Sequence, residues 1–200
     1  MFLQESYNPT IHVSDPLSSA ITSLGSSDAA ARLAAATQIF YRGRSSADAA
    51  ISSWWEVPAL RLLLGSEPVI TVGIAVHREA FERIRAANGA PSLAQIPPDQ
   101  DAEEFELHFP GQISLDVLTS REPTGPGAIA SFLSKFGEGI QQVEFLCSSV
   151  DRATEILRGT LGINPVYPKT RAGANGSRIN FFLIPTGTFG KILIELYDRS

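Results

Sequence analysis

The chain of 200 residues has one cysteine, Cys147, and so can form no intrachain disulfide. It has no run of Lys or Arg either: 16 basic residues face 21 acidic ones, a net charge of -5. That balance argues against nucleic acid or an anionic membrane as partner. No apolar run approaches the ~20 residues needed to cross a bilayer. The opening stretch MFLQESYNPTIHVSD lacks a basic region, an apolar segment and a cleavage site. A reducing cytoplasm and a small-molecule ligand are therefore the expectation. Histidine is scarce as well, with His12, His77 and His108 the only three, which limits the metal chemistry available.

With 44% hydrophobic residues the chain can bury a core without staples. Residues 17–64 are rich in Ala, Ser and Leu with helical apolar spacing. Asp28 opens the stretch DAAARLAAATQIFYRGR, in which Leu33, Ala36, Ile39 and Phe40 share a face and Gly43 is a natural stop. Ser45 with Asp48 resembles a capping box for a second helix, which Pro58 should end or kink near Val57. The expectation is an antiparallel helical pair within residues 1–67, ending at Gly65-Ser66-Glu67-Pro68. Trp54 and Trp55, adjacent on a helix, diverge by about 100°, so one of them should pack on the rest of the chain or on a second subunit.

From residue 69 onward short β-branched runs alternate with turns, and helical patterns interrupt them near residues 80–87 and 150–158. The segments repeat. TVGIAV at 71–76 lies over QVEFLC at 142–147, and QISLDV at 112–117 over KILIEL at 191–196. Each unit reads β-α-β-β-β, with penultimate strands at 104–109 and 178–184. The fold class is α+β: a domain at 68–200 holding module one (69–120), a connection (121–138) and module two (139–198), behind an N-terminal helical appendage. Each module is too small to stand alone, so the two share a sheet or core. Alternation puts Asp116 and Glu195, at equivalent places in the last strands, on the face opposite their apolar neighbours. Two carboxylates can thus converge on one cavity.

The stretches VGIAV (72–76), GPGAIASFLSKFGEGI (125–140), GANGSRINFF (173–182) and GKILIEL (190–196) together resemble the vicinal oxygen chelate superfamily of glyoxalases, bleomycin-resistance proteins and extradiol dioxygenases. Within it they are most similar to the methylmalonyl-CoA epimerase family, over about two thirds of the chain. The resemblance implies paired modules curled around a pocket, with a divalent metal on four residues. The matching positions here are Thr71, Asp116, Gln142 (with Gln141 beside it) and Glu195, so both expected histidines are replaced.

Neutral hydroxyl and amide oxygens hold transition metals poorly, so no tightly bound Co, Ni, Zn or Fe is expected. A weakly held divalent cation on Asp116, Gln142 and Glu195 stays open, as does a wet cavity without metal. Glu195 and Asp116 are the leading proton-transfer groups, and mutual repulsion should raise the pKa of one. Thr71, Gln142 and His108 are the remaining pocket candidates. Arg171 and Arg178, with Lys169, are candidates for the phosphates of a coenzyme A-like ligand, or part of a plain glycine-rich connection. The resemblance implies an epimerase or lyase acting on an acyl thioester-like substrate, or else a protein that sequesters a small molecule without turnover. Relatives often dimerise, which implies a homodimer. Cys147, inside an apolar strand, is expected to be a buried inert thiol.

Overall fold

In the computed structural model, which describes residues 15–186 and 190–199, Asp15 and Asp28 each cap a helix. The Asp15 carboxylate accepts from Leu17 N–H at the start of α1 (Pro16–Ser23), and Asp28 from Ala30 N–H at the start of α2 (Ala29–Ala50). The proposed stop at Gly43 is wrong: α2 runs straight through it. The reason is tertiary. Gly43 is pressed against the sheet, where a Cβ would lie 2.6 Å from Val72 Cγ1, so its low helix propensity is offset by close packing. The second predicted helix dissolves accordingly into the end of α2, a 3-10 turn (Ser52–Glu56) and α3 (Pro58–Leu64). Pro58 starts α3 at its first turn, where its missing N–H costs nothing. The helical pair that does form is α1 on α2.

Module one comprises β1 (Ile70–Ala75), α4 (Arg78–Ala87), β2 (Glu103–Phe109) and β3 (Ile113–Thr119). After α5 (Ala128–Phe136), module two follows as β4 (Gly139–Leu146), α6 (Val150–Leu161), β5 (Arg171–Ala172), β6 (Arg178–Thr186) and β7 (Gly190–Asp198). One seven-stranded sheet results, in the order β2-β3-β1-β4-β7-β6-β5. Antiparallel β1 and β4 meet at its centre, and each pairs in parallel with the last strand of its own module, β3 or β7. The two halves are thus the pseudo-equivalent units that the repeat implies.

Residues 91–101, between α4 and β2, form no regular strand but tie the two edges of the sheet together. Ala94 N–H donates to Glu104 O (2.9 Å) on the β2 edge. Gln95 N–H donates to Asn175 Oδ1 (2.9 Å) and its carbonyl accepts from Asn175 N–H (2.9 Å), beside the β5–β6 edge. Gln100 Nε2 donates to Ala172 O (2.9 Å), and Asp99 pairs with Arg171.

The convex face of the sheet is apolar, with Val72, Ile74, Leu115, Val117, Val143, Phe145, Ile194 and Leu196 all buried in one core with the helices. Ile39 and Phe40 of α2 belong to it. Trp54 packs edge-on against Phe182 with ring centroids 6.0 Å apart, the contact with the β domain that the tryptophan pair requires, and Trp55 is partly buried on the same core. A second, smaller cluster joins Ile129 and Leu133 of α5 to Ala75 and Leu118, closing one end of the concave face. Cys147 is buried, and burial pushes its thiol up to about 12, outside the reactive range.

The Gly43 contact is testable by a double-mutant cycle. Gly43→Ala should destabilise the protein by about 1–3 kcal/mol through overpacking, despite alanine's better helix propensity. Adding Val72→Ala should restore part of that loss, so that denaturant melts of the four proteins give a non-additive pair.

Candidate functional site

Along each central strand the residues that do not enter the core point to the concave face. The pairing registers set them in two rows. Glu106, Asp116, Gly73 and Gln142 run across β2, β3, β1 and β4. Thr71, Glu144, Glu195 and Phe181 run across β1, β4, β7 and β6. A β-bulge breaks the β1–β4 register, since Gly73 pairs with Gln142 and Ile74 with Ile140, and so leaves Gln141 as the extra residue. Gln141 and Gln142 consequently both line the cavity, which strict alternation forbids. Gly73 provides the room: a Cβ there would meet Gln142 Cγ at 2.7 Å.

At the floor, Gln142 Nε2 donates to Glu144 Oε1 (2.9 Å) and to Glu195 Oε2 (2.8 Å). Both carboxyls are buried, 8% and 9% exposed, and Asp116 is only 4% exposed. Asp116 Oδ1 and Gln141 Oε1 have no hydrogen-bond partner among the described residues. Glu104 and Glu106 of β2 add two more acids to the cavity wall.

Burial dominates the titration of these groups. It raises Asp116 well above the usual carboxylate range, helped by the charges of Glu104, Glu144, Glu106 and Glu195. Glu195 is raised likewise by burial and by the charges of Glu144 and Glu104, with its Gln142 hydrogen bond opposing. Glu144 is pushed up to about 8 by burial, the Gln142 bond again opposing. Glu104 reaches about 7 through burial and the neighbouring Glu106 charge.

The cavity has a volume of about 1310 Å³. Its apolar lining comes from Leu118, Ile129, Ile179, Phe181, Leu183 and Leu193, and the strap at 91–101 contributes Ser92, Leu93 and Ala94. Arg121, Arg171 and Arg199 also line it. The Arg171 guanidinium stacks 4.6 Å from the Tyr167 ring centroid while pairing with Asp99.

Of the residues singled out from sequence, Asp116, Gln142, Glu195 and Arg171 line this space. Thr71 is buried on β1 beside Glu144 but lies outside the lining, a correction to its reading as a pocket residue. His108 is a second correction. Its side chain is 67% exposed near the end of β2, where the ring meets Glu106 Oε2 and Ser114 Oγ, each at 3.2 Å. Arg178 is a third: Asp151 of α6 and Thr170 hold its guanidinium away from the cavity. Lys169 is exposed outside the lining, His77 precedes α4, and His12 lies outside the described residues. Sequence reasoning missed Glu104, Glu106, Glu144 and Gln141. The first three were available from alternation, because EEFEL and QVEF repeat an acid or amide every second residue.

The residues at the four metal positions do not fit a transition metal. Thr71 is set apart from the lining, and Gln142 turns its amide N–H bonds on the two glutamates. Among the described residues no three His, Cys, Asp or Glu side chains converge as a metal site requires.

A curled sheet of two βαβββ modules around a polar cavity is the fold of the vicinal oxygen chelate superfamily. Among solved structures, methylmalonyl-CoA epimerase from Mycobacterium tuberculosis matches with 32% identity and a TM-score of 0.55, over 69% of this chain and 91% of that one. The chain belongs to the methylmalonyl-CoA epimerase family. Two further epimerase structures, each 22% identical, share the fold. The Streptomyces coelicolor protein in complex with 2-nitronate-propionyl-CoA matches over 66% of this chain and 97% of its own, with a TM-score of 0.53. A complex with methylmalonyl-CoA and NH4+ matches over 66% and 94%, with a TM-score of 0.52. No protein-family model and no curated protein matches the chain. Among the described residues no helix is long and apolar enough to cross a membrane.

The raised carboxyls give the protein a characteristic pH dependence. A group whose pKa is higher folded than unfolded stabilises fully below its unfolded pKa, and this is lost as pH rises through the folded value. For Glu144 that window runs from 4.5 to about 8, and for Glu104 from 4.5 to about 7. The melting temperature should therefore peak near pH 5 and fall by about 5–10 °C by pH 9. Glu144→Gln should flatten the fall above neutrality, as calorimetry across that range will show.

Proposed function

We propose that the inter-module cavity binds a small organic molecule and moves a proton at a carbon acid within it, as on an acyl thioester, without a transition metal. The observation that carries this reading is the buried constellation of Gln142 bridging Glu144 and Glu195, with Asp116 and Glu104 facing the same space. Proton transfer at carbon needs groups that titrate near the working pH, and Glu104 at about 7 meets that condition as base. Glu195 and Asp116, whose pKa values burial raises, are suited to return a proton. Arg171, with Arg121 and Arg199, supplies positive charge for an anionic carrier of the acyl group. Membership of the epimerase family supports the substrate class. A second reading, capture without turnover, is favoured by one observation: Thr71 and Gln142 stand at both histidine positions.

The protein is further proposed to be a cytoplasmic homodimer. Exposed Leu62 and Val69, flanking the turn from α3 to β1, support a subunit contact, and the lone buried Cys147 suits a reducing compartment.

Incubating candidate acyl thioesters with the protein in deuterium oxide, and following exchange at the carbon next to the carbonyl by NMR, tests turnover. Exchange should appear and fall by about 100-fold or more in both Glu195→Gln and Glu104→Gln. Ligand binding with no exchange establishes capture instead. Exhaustive dialysis followed by elemental analysis should find less than about 0.1 equivalent of Co, Ni, Zn or Fe, and chelator should leave exchange unchanged. Stoichiometric metal refutes the metal-free reading.

A further inference from the structure

The two modules repeat in backbone but not in what they present to the cavity. Asp116 of β3 and Glu195 of β7 are equivalent, and the pairing registers extend the match to the neighbouring strands. Asp116 pairs with Glu106 on β2, and Glu195 with Phe181 on β6. Two residues to either side, Glu104 corresponds to Ile179 and His108 to Leu183, while on the last strands Ser114 corresponds to Leu193. At these four places module one carries polar or charged side chains and module two apolar ones. Ile179, Phe181, Leu183 and Leu193 all line the cavity. The segment after α6 widens this apolar strip. Val166 N–H donates to Phe181 O (2.7 Å), and the Tyr167 ring meets Phe181 edge-on with centroids 6.0 Å apart. Leu183 and Val166 are 49% and 50% exposed, although both line the cavity. Apolar surface left open inside a ligand cavity is what an apolar part of the ligand covers.

We propose that the acyl group of the ligand is an uncharged apolar chain lying along β6 and β7, against Phe181, Leu183 and Leu193. This rests on the acyl thioester reading above and adds to it the class of acyl group. Its place relative to the chemistry follows from the register. Phe181 lies beside Glu195, so a chain on the strip begins at a proton-transfer group and runs on past Leu183 and Leu193, which pair with each other. A carboxylate at the far end of such a chain loses its hydration against side chains that offer neither a hydrogen bond nor a charge. Positive charge for the carrier lies elsewhere in the cavity, on Arg121 and Arg171, whose guanidiniums meet Gln100 and Asp99 of the strap. At about 1310 Å³ the cavity exceeds the ~300–1,000 Å³ common for small-molecule sites, which leaves room for a chain besides the carrier.

Three probes titrated into the full chain by calorimetry test this: acetyl-CoA, hexanoyl-CoA and adipoyl-CoA, the last equal to hexanoyl in length but ending in a carboxylate. Each methylene covered should tighten binding by about two- to fourfold, so hexanoyl-CoA should bind at least about tenfold more tightly than acetyl-CoA. Adipoyl-CoA should lose that gain. Leu183→Asn, at a half-exposed position where folding is spared, should cut the hexanoyl-to-acetyl affinity ratio to about threefold or less. Leu193→Asn should do so independently. Equal affinity for acetyl and hexanoyl, tighter binding of adipoyl than of hexanoyl, or a ratio unmoved in both variants overturns the apolar acyl group while leaving the thioester reading intact. Failure of all three probes to bind overturns both. Sedimentation examines the other occupant of an apolar strip: a dimer that Leu183→Asn dissociates makes the strip a subunit contact and overturns the proposal.

Discussion

The amide of Gln142 is the interaction on which the site depends. One nitrogen with two hydrogens faces two carboxyls from neighbouring strands and holds both, at 2.9 and 2.8 Å, where repulsion and burial would otherwise drive them apart. A neutral imidazole has a single N–H and could not serve both acceptors. Gln142 is thereby a bridge between β4 and β7. Two backbone features make this possible. Gly73 on the facing strand leaves space for the side chain, and the parallel β4–β7 register sets Glu144 beside Glu195.

The helices at the N-terminus serve the cavity from the other side of the sheet. By covering the apolar convex face they leave the concave face free to be polar, a division that a single exposed sheet could not sustain. The close approach of α2 at Gly43 fastens the helix to β1, the strand that carries Gly73. Across the mouth, the strap at 91–101 bonds to β2 on one side and to the β5–β6 region on the other. The acids therefore sit on a wall whose back is packed and whose edges are joined. Such a wall can hold like charges close without spreading.

Much of this was legible in the sequence, and the failures have identifiable causes. The repeat and alternation placed Asp116 and Glu195 on one face, and the registers put them on the two sides of the central strands. The same alternation, carried two residues beyond Gln142, marks Glu144, and EEFEL marks Glu104 and Glu106. Gln141 was not legible, because a bulge is a property of the pairing and not of the strand. His108 was assigned the right face, but so near the strand's end that solvent and Glu106 take it. Arg178 is captured by Asp151 on a helix distant in sequence. Gly43 misled for a related reason: its local signal is a stop, while its packing against Val72 requires a glycine within the helix. Local propensity yields wherever tertiary contact supplies more energy.

The acidic floor also ties the stability of the fold to the chemistry of its cavity. Carboxyls whose pKa is raised by burial make the protein less stable as pH rises, since the unfolded chain releases those protons more readily. Asp116 and Glu195, which the proposed proton transfer uses, are among the groups that burial raises. Replacing either by its amide therefore removes a group that weakens the fold at alkaline pH together with a group that the proposed chemistry needs.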